Sequence, residues 1–206
     1  MLLDFLTNIE KEIEQIIQKS NLPEDFQHAH NTRIWILKLK PDANWALQLA
    51  ALAHDIERAI PQRKITRSEY EDFNAFKRAH ALNSARIVGE ILEKYPLSDT
   101  IKSRIKYLIE LHEFGRDGDP ELLVLKDADS LSFFEVNLPL YFQRNSEQET
   151  LFRMRWGYAR LSNQAKKFVK KMSYKNDRLN KLLRICIESK QESSNPLGVK
   201  ANYSNK

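Results

Sequence analysis

The segment LQLAALAHDIER, residues 47–58, decides the fold that we predict for this chain. Leucine and alanine dominate its first half, which favours a helix that is buried on most sides. The segment then presents His54 and Asp55, an imidazole and a carboxylate that are costly to bury unless they share a partner. A metal ion is one such partner, because two ligands at the end of a helix can converge on an ion that lies beyond it. A hydrogen-bonded His–Asp pair that only ends the helix is the alternative.

Composition sets the class of protein. With 206 residues, of which 42% are hydrophobic, the chain can bury one core, and we predict a single domain over residues 1–190. Cys186 is the only cysteine, which excludes an internal disulfide and a cysteine-based zinc site and suggests a cytoplasmic protein. No apolar run approaches the roughly 18 residues of a membrane span, and the acidic N-terminal segment does not resemble a signal peptide, so we expect no membrane association.

Charge is distributed unevenly along the chain. Residues 1–146 carry 19 Lys and Arg against 23 Asp and Glu, whereas residues 147–206 carry 14 against 5. A basic end can attract phosphate-rich partners. No pattern of alternating aromatic and basic residues accompanies it, so we interpret the charge as solvated helix faces and do not expect nucleic-acid binding. The sequence leaves open whether this region mediates a homo-oligomer.

The periodicity of apolar residues predicts an all-α fold, a helical bundle without strands. In the first half we predict helices over 3–20, over 24–40, from a cap at Asp42 to residue 55, from a cap at Ser68 to residue 95, and over 98–113. Residues 57–67 are predicted to form an exposed loop, and residues 115–120 a turn. A helix then starts near Pro120, and C-terminal helices follow over 147–161, 162–173 and 177–190. Residues 191–206 are polar and are predicted to be a disordered tail.

Four of the five histidines fall on a predicted buried stripe or in the last turn of a helix, and only His28 is predicted to be exposed. The buried four are His30, His54, His80 and His112. Asp55 and Asp129 also lie in apolar runs. Because burial of so many ionisable groups costs several kcal/mol each without a compensating charge, a shared cation is the economical explanation. Imidazole and carboxylate ligands suit Mn, Fe, Co, Ni or Zn, and the sequence does not choose among them or between one ion and two.

These residues resemble the H…HD…D signature of the HD superfamily. His30 precedes the pair His54 and Asp55, and Asp129 follows in the segment DADSL. AALAHDIE and HALNSARIVGEIL are similar to the superfamily's helix into the HD pair and to the histidine-bearing helix after it, so the resemblance covers about 25–135.

The resemblance implies a metal-dependent phosphohydrolase of all-helical fold. His30, His54, Asp55 and Asp129 would then bind one ion, while His80 and His112 resemble the additional histidines that hold a second ion or a substrate phosphate. In the superfamily the ligand is usually the second aspartate of such a segment, so Asp129 is preferred to Asp127. The implied substrate is a phosphomonoester or a nucleotide.

Helical spacing and the adjacent loop suggest which side chains act on that substrate. Four cations near the predicted ligands are candidates for binding its phosphate: Arg33, Arg58, Lys77 and Lys126. Asp55 or Glu57 could accept a proton from the attacking water. Arg58 stands where several nucleotidase members of the superfamily have a catalytic acid, which leaves the general acid unassigned.

Two other functions are compatible with the same residues. Some HD proteins with four histidines and two aspartates resemble di-iron oxygenases, which would be distinguished by bound iron and oxygen consumption. The chain could also be a non-catalytic module in which the metal joins helices or a nucleotide is bound as a signal.

Overall fold

Helices form all the regular structure in residues 2–115 and 118–188, the part of the chain that the computed structural model describes. The predicted all-α class is therefore confirmed. This part contains ten α-helices: α1 (Leu2–Ile17), α2 (Glu24–Leu39), α3 (Trp45–Ala53), α4 (Phe73–Leu92), α5 (Asp99–Leu111), α6 (Pro120–Ser132), α7 (Leu138–Arg144), α8 (Glu147–Arg160), α9 (Asn163–Val169) and α10 (Asp177–Glu188). None of these helices is long and apolar enough to cross a membrane.

Helix α3 lies at the centre of the bundle and packs against α1, α2, α5 and α6. From Leu49 to Ala53 every residue is at most 1% exposed, as the apolar run predicts. Its alanines leave room for neighbouring helices to approach closely. The helix ends at Ala53, and His54 is its C-terminal cap, so the HD pair is placed in the interior.

The predicted cap of α3 is wrong by two residues. The side chain of Asn44 accepts the backbone N–H of Leu47 at 2.9 Å, whereas Asp42 pairs with Lys40 on the surface. An N-cap side chain accepts the amide two or three residues after it, and Asn44 meets this condition because the helix starts at Trp45.

The segment between α3 and α4 is more structured than the predicted loop. It contains three short 3₁₀ turns, and Ser68, the predicted cap of α4, lies in the last of them. Asp72 caps α4 instead, accepting the N–H of Ala75 at 2.7 Å. Glu57 is only 1% exposed, so the beginning of the segment belongs to the core.

Helix α2 presents its polar side to the core, opposite to the prediction. The buried residues of α2 are Glu24, Asp25, His28, Ala29, Thr32, Trp35 and Ile36. Ile34 and Leu37, on the predicted apolar face, are 49% and 39% exposed. The inner face contacts the polar residues of the candidate site, so hydrophobicity selects the wrong side of this helix.

After α6 the chain forms a π-helical turn, Phe133–Asn137, and then α7, neither of which the sequence analysis assigned. Turns of this type are rare and occur frequently at functional sites. Ser162 caps α9, and the C-terminal helices follow the predicted ones closely at their starts. Gly115 and Gly118 adopt positive φ angles of 71° and 82°, as a turn requires, whereas residues 116–117 and the predicted tail, 191–206, lie outside the described residues.

Candidate metal centre

Three side chains from separate parts of the bundle meet, His28 of α2, His54 at the end of α3 and Asp129 of α6, and Asp55 lies beside them. We call these four residues the primary cluster. His28 Nε2 lies 3.2 Å from His54 Nε2 and 3.3 Å from Asp129 Oδ1, and His54 Nε2 lies 3.5 Å from Asp129 Oδ1. Asp55 Oδ1 is 3.6 Å from His54 Nε2, and Asp55 Oδ2 is 3.8 Å from His28 Nε2. Ligands bound to one ion at about 2.0–2.2 Å are separated by about 3 to 4 Å, so this spacing suits a common ion.

Hydrogen bonds fix the orientation of both imidazoles in the primary cluster. His54 Nδ1 lies 2.8 Å from the carbonyl oxygen of Ala51 and therefore donates its N–H to it. His28 Nδ1 lies 2.8 Å from Ser132 Oγ, whose hydroxyl donates to the carbonyl oxygen of His28. Donation from Nδ1 leaves the lone pair on Nε2 available to a metal. Two lone pairs 3.2 Å apart repel, so a proton or a cation is required near them.

The carboxylates of the primary cluster are each held by an arginine on one oxygen. Arg58 Nη1 donates to Asp55 Oδ2 at 2.8 Å, and Arg160 Nη1 donates to Asp129 Oδ2 at 3.1 Å. Oδ1 of Asp129 therefore faces His28 and His54, whereas Oδ1 of Asp55 accepts a hydrogen bond from His80 at 2.6 Å. Burial alone would lower the pKa of His54, but Asp55 and Asp129 outweigh it and raise that pKa to about 9. In the metal-free protein a proton therefore supplies positive charge where an ion would lie.

A secondary cluster, Asp55, His80, His112 and Glu113, adjoins the primary cluster and shares Asp55 with it. His80 bridges two carboxylates, with Nε2 2.6 Å from Asp55 Oδ1 and Nδ1 2.5 Å from Glu57 Oε1. Glu113 forms ion pairs with Lys77 and, at 3.1 Å, with Arg160. Burial raises the pKa of Glu113, but these cations outweigh it and hold the pKa well below its usual range.

The two clusters do not fit a metal ion equally well. In the secondary cluster His80, Lys77 and Arg160 already supply positive charge, so an ion there must compete with them. One observation favours an ion in the secondary cluster. His112 Nε2 is fully buried, has no hydrogen-bond partner, and lies 3.3 Å from Glu113 Oε1. In the primary cluster an ion competes with Arg58 and His80 for Asp55 alone. His28 Nε2, His54 Nε2 and Asp129 Oδ1 lie within 3.5 Å of one another, and we regard this cluster as the better site.

The structure brings together five of the six predicted ligands, and it does not bring His30 to them. His30 Nε2 lies 3.3 Å from Glu14 of α1, and its side chain is 37% exposed. His28, predicted to be exposed, is 2% exposed and occupies the expected position. The prediction that His30 is a ligand is wrong. It assumed that the helix face with His30, Ile34 and Leu37 is buried, whereas Ile34 and Leu37 are exposed. A signal for His28 was available, since it shares a helical stripe with Trp35.

The preference for Asp129 over its neighbour agrees with the geometry. Asp127 is also buried, but its carboxylate accepts the N–H of Ser162 at 2.8 Å and the hydroxyl of Ser162 at 2.5 Å. It therefore fixes the start of α9 rather than contributing to either cluster.

Of the four predicted substrate-binding cations, the structure places Arg58 and Lys77 beside the primary cluster, where they line a cavity with Asp55. Arg33 pairs instead with Glu10 of α1 at 2.9 Å, because it lies on the same side of α2 as His30, which points away from the primary cluster. Lys126 lies beside the loop after α5 and lines a different cavity. The predictions of Arg33 and Lys126 are therefore corrected.

Sequence reasoning missed two arginines of α8. Arg160 pairs with both Asp129 and Glu113, and Arg153 lines the same cavity as the primary cluster. Their separation of seven residues, with Trp156 between them, places all three on one helix face. That spacing is present in the sequence, but an excess of basic residues in this region is also typical of helix faces that contact solvent.

Three cavities surround these cations. The smallest, about 30 Å³, is lined by His28, Asp55 and Asp129 and is large enough for only a few atoms. Two larger cavities of about 300 and 240 Å³ lie farther out. Arg58 and Arg153 line all three, so these two side chains contact both the space beside the primary cluster and the space where a larger ligand would fit.

Comparison with known proteins gives a family and no named relative. A family model with the description "Domain of unknown function (DUF4202)" matches residues 7–183. No curated protein and no solved structure matches the chain.

Proposed function

The chain belongs to the DUF4202 family, and we propose that it is a phosphomonoester hydrolase that depends on a divalent metal ion held by His28, His54, Asp55 and Asp129. The observation that carries this proposal is the convergence of His28 Nε2, His54 Nε2 and Asp129 Oδ1, 3.2–3.5 Å apart. The carboxylate of Asp55 lies within 3.8 Å of both histidines, and positive side chains line the adjacent cavity. The resemblance to the HD superfamily supports the same activity. Mn, Fe, Co, Ni and Zn all suit these ligands.

The positive side chains are suited to a phosphate dianion. Arg58, Lys77, Arg153 and Arg160 line the small cavity. Arg58 and Arg160 also hold the carboxylates of Asp55 and Asp129, so they keep the ligands in place and contribute charge beside a phosphoryl group. Preorganised cations of this kind stabilise negative charge that develops during phosphoryl transfer. A bound divalent ion would add polarisation of a phosphoryl oxygen and would acidify a water molecule.

The structure changes the predicted roles of the acids near the reaction. Both oxygens of Glu57 are engaged, one by His80 Nδ1 at 2.5 Å and the other by the backbone N–H of Ile65 at 2.7 Å. We therefore propose that Glu57 positions His80. Both oxygens of Asp55 are engaged as well, by Arg58 at 2.8 Å and by His80 at 2.6 Å, so we propose Asp55 as a metal ligand and not as the base. Burial opposes the charge of His80, but Asp55 outweighs it and raises the pKa of His80. His80 also lines the cavity of about 300 Å³, where it can donate a proton to a leaving oxygen.

The proposal is tested with purified full-length protein supplied in turn with Mn²⁺, Co²⁺, Ni²⁺, Zn²⁺ and anaerobic Fe²⁺, using p-nitrophenyl phosphate and nucleoside monophosphates. We expect metal-dependent phosphate release that falls at least about 100-fold in Asp129→Asn, since loss of the ion removes several kcal/mol of charge stabilisation. His30→Gln is the matched control and should retain activity. Metal-independent hydrolysis, or activity that survives in Asp129→Asn, would contradict the proposal.

A di-iron oxygenase is the second candidate, because Asp55 belongs to both clusters and the site gathers four histidines and two aspartates. The cations of the cavity favour the hydrolase. Anaerobic loading with Fe²⁺ followed by measurement of oxygen uptake separates the two. Metal binding with neither activity would instead support the non-catalytic module.

A further inference from the structure

Arg153 occupies a cage of aromatic rings beside the primary cluster. Its guanidinium carbon lies 4.5 Å from the ring centre of Phe73, 5.5 Å from that of Phe133, 5.6 Å from that of Trp156 and 5.9 Å from that of Tyr141. Cation–π attraction stabilises a guanidinium in such a position and restricts its movement. The rings, however, accept no conventional hydrogen bond from its edge.

The hydrogen-bonding capacity of Arg153 is not satisfied within the described residues. Its Nη1 atom is buried and has no hydrogen-bond partner. Among the same residues, the neighbouring arginines Arg58, Arg144 and Arg160 are all in ion pairs with carboxylates, and no ion pair of that kind includes Arg153. A buried, unpaired donor on a charged group is destabilising, which indicates a binding partner that comes from outside the chain.

The position of Arg153 defines where that partner lies. Arg153 lines the small cavity together with His28, Asp55 and Asp129, and it also lines both larger cavities. A group bound to Arg153 therefore lies between the primary cluster and the space that can hold the rest of a ligand. An anionic group that accepts hydrogen bonds from a planar guanidinium, as phosphate oxygens do, fits this position best.

We propose that Arg153 binds the phosphate group of the substrate and is the residue that sets specificity for phosphomonoesters. This rests on the proposed function, since it assumes that the ligand of the primary cluster is a phosphomonoester. The aromatic cage holds the guanidinium in place before the substrate arrives, so little of its side-chain freedom is lost on binding. Arg58 and Arg160 neutralise the ligand carboxylates, and Arg153 remains to neutralise the phosphate.

The test measures binding of inorganic phosphate to the full chain by calorimetry, with and without Mn²⁺, in wild type, Arg153→Met, Arg153→Lys and Arg155→Met. Arg155 is an exposed neighbour on the same helix and serves as the matched control. We expect Arg153→Met to weaken phosphate binding about 10- to 100-fold, as loss of a hydrogen bond to a charged group implies. The phosphate affinity of Arg153→Lys should lie between those of wild type and Arg153→Met, because lysine keeps the charge but not the planar donor edge. Arg155→Met should bind as wild type does.

Kinetics with p-nitrophenyl phosphate supply a second readout. If Arg153 binds the phosphate equally in the ground and transition states, Arg153→Met raises KM by the same factor and changes kcat little. A melting temperature within a few degrees of wild type shows that methionine fills the cage; if Arg153→Met does not fold, Arg153→Lys carries the comparison.

The outcomes separate this inference from the proposed function. Phosphate binding that depends on Arg153 in a protein that hydrolyses no phosphomonoester would support the inference and contradict the function. Metal-dependent hydrolysis with KM and phosphate affinity unchanged in Arg153→Met would support the function and overturn the inference. No phosphate binding by the wild type would also overturn the inference.

Discussion

The sharpest prediction concerns two histidines that lie two residues apart on α2. His28 is 2% exposed and its Nε2 belongs to the primary cluster, whereas the side chain of His30 is 37% exposed and faces Glu14. We therefore predict that His28→Gln abolishes thermal stabilisation by a divalent ion and that His30→Gln preserves it. Either change leaves the helix propensity of α2 nearly unaltered.

The size of the effect follows from linkage between binding and folding. An ion at 100 times its Kd stabilises the folded state by about 2.7 kcal/mol. For a chain of this length 1 kcal/mol corresponds to roughly 2–4 °C in Tm, so wild type and His30→Gln should each gain about 5–11 °C. His28→Gln also loses the hydrogen bond to Ser132, which costs about 1 kcal/mol even without metal. It should gain less than about 2 °C at the same ion concentration.

The assay is differential scanning calorimetry with Mn²⁺ or Co²⁺, followed by EDTA to show that the shift is reversible. Loss of the shift in His30→Gln with retention in His28→Gln would refute the geometry of α2 and restore the ligand set first predicted from the sequence. No shift in the wild type with any of the candidate ions would refute the metal site itself.

Three further predictions test the surroundings of the site and the core. Ser132→Ala removes the hydrogen bond that orients the imidazole of the α2 ligand and should weaken metal affinity about 10- to 100-fold in competition titrations, so unchanged affinity would exclude this orienting role. Leu49→Ala, at a fully buried position of α3, should lower the free energy of unfolding by about 2–5 kcal/mol in urea. Ile34→Ala, at a position 49% exposed, should change it by no more than about 0.5 kcal/mol, and equal effects would show that α2 is oriented wrongly. Burial raises the pKa of Cys186 to about 12, so below that pH the thiol stays protonated and should resist alkylation at pH 8 until the protein is unfolded, whereas rapid modification of the native protein would contradict its burial.

The sequence predicts α3 and the HD pair well because their signal is local. Its run of leucines and alanines fits only a buried helix, and a histidine and an aspartate at the end of such a helix require a partner. The same reasoning predicts that His80, His112 and Asp129 are buried, and the structure buries all three.

The errors share a physical cause, which is that the interior next to the site is polar. On α2, Glu24, Asp25 and His28 face inward because they contact charged and hydrogen-bonding partners, while Ile34 and Leu37 remain outside. Periodicity of hydrophobic residues assumes an apolar interior and therefore selects the opposite face. Which face of such a polar helix is buried can be recognised only from the residues of other helices that contact it.

The arginines of α8 were missed for a related reason. Arg160 pairs with Glu113 and Asp129, and three of the four rings around Arg153 come from other helices and connecting segments. No local pattern indicates that these groups meet. A basic residue on an amphipathic helix is usually solvated. The cations of a site can therefore be identified only once the fold shows which acidic groups and rings contact them.

The metal centre is tested most directly by a crystal structure of the Co²⁺-loaded or Mn²⁺-loaded protein with anomalous scattering from the ion. We predict one strong peak at about 2.0–2.3 Å from His28 Nε2, His54 Nε2 and carboxylate oxygens of Asp55 and Asp129. A peak beside His30 and Glu14, or none between the four side chains, would contradict this prediction.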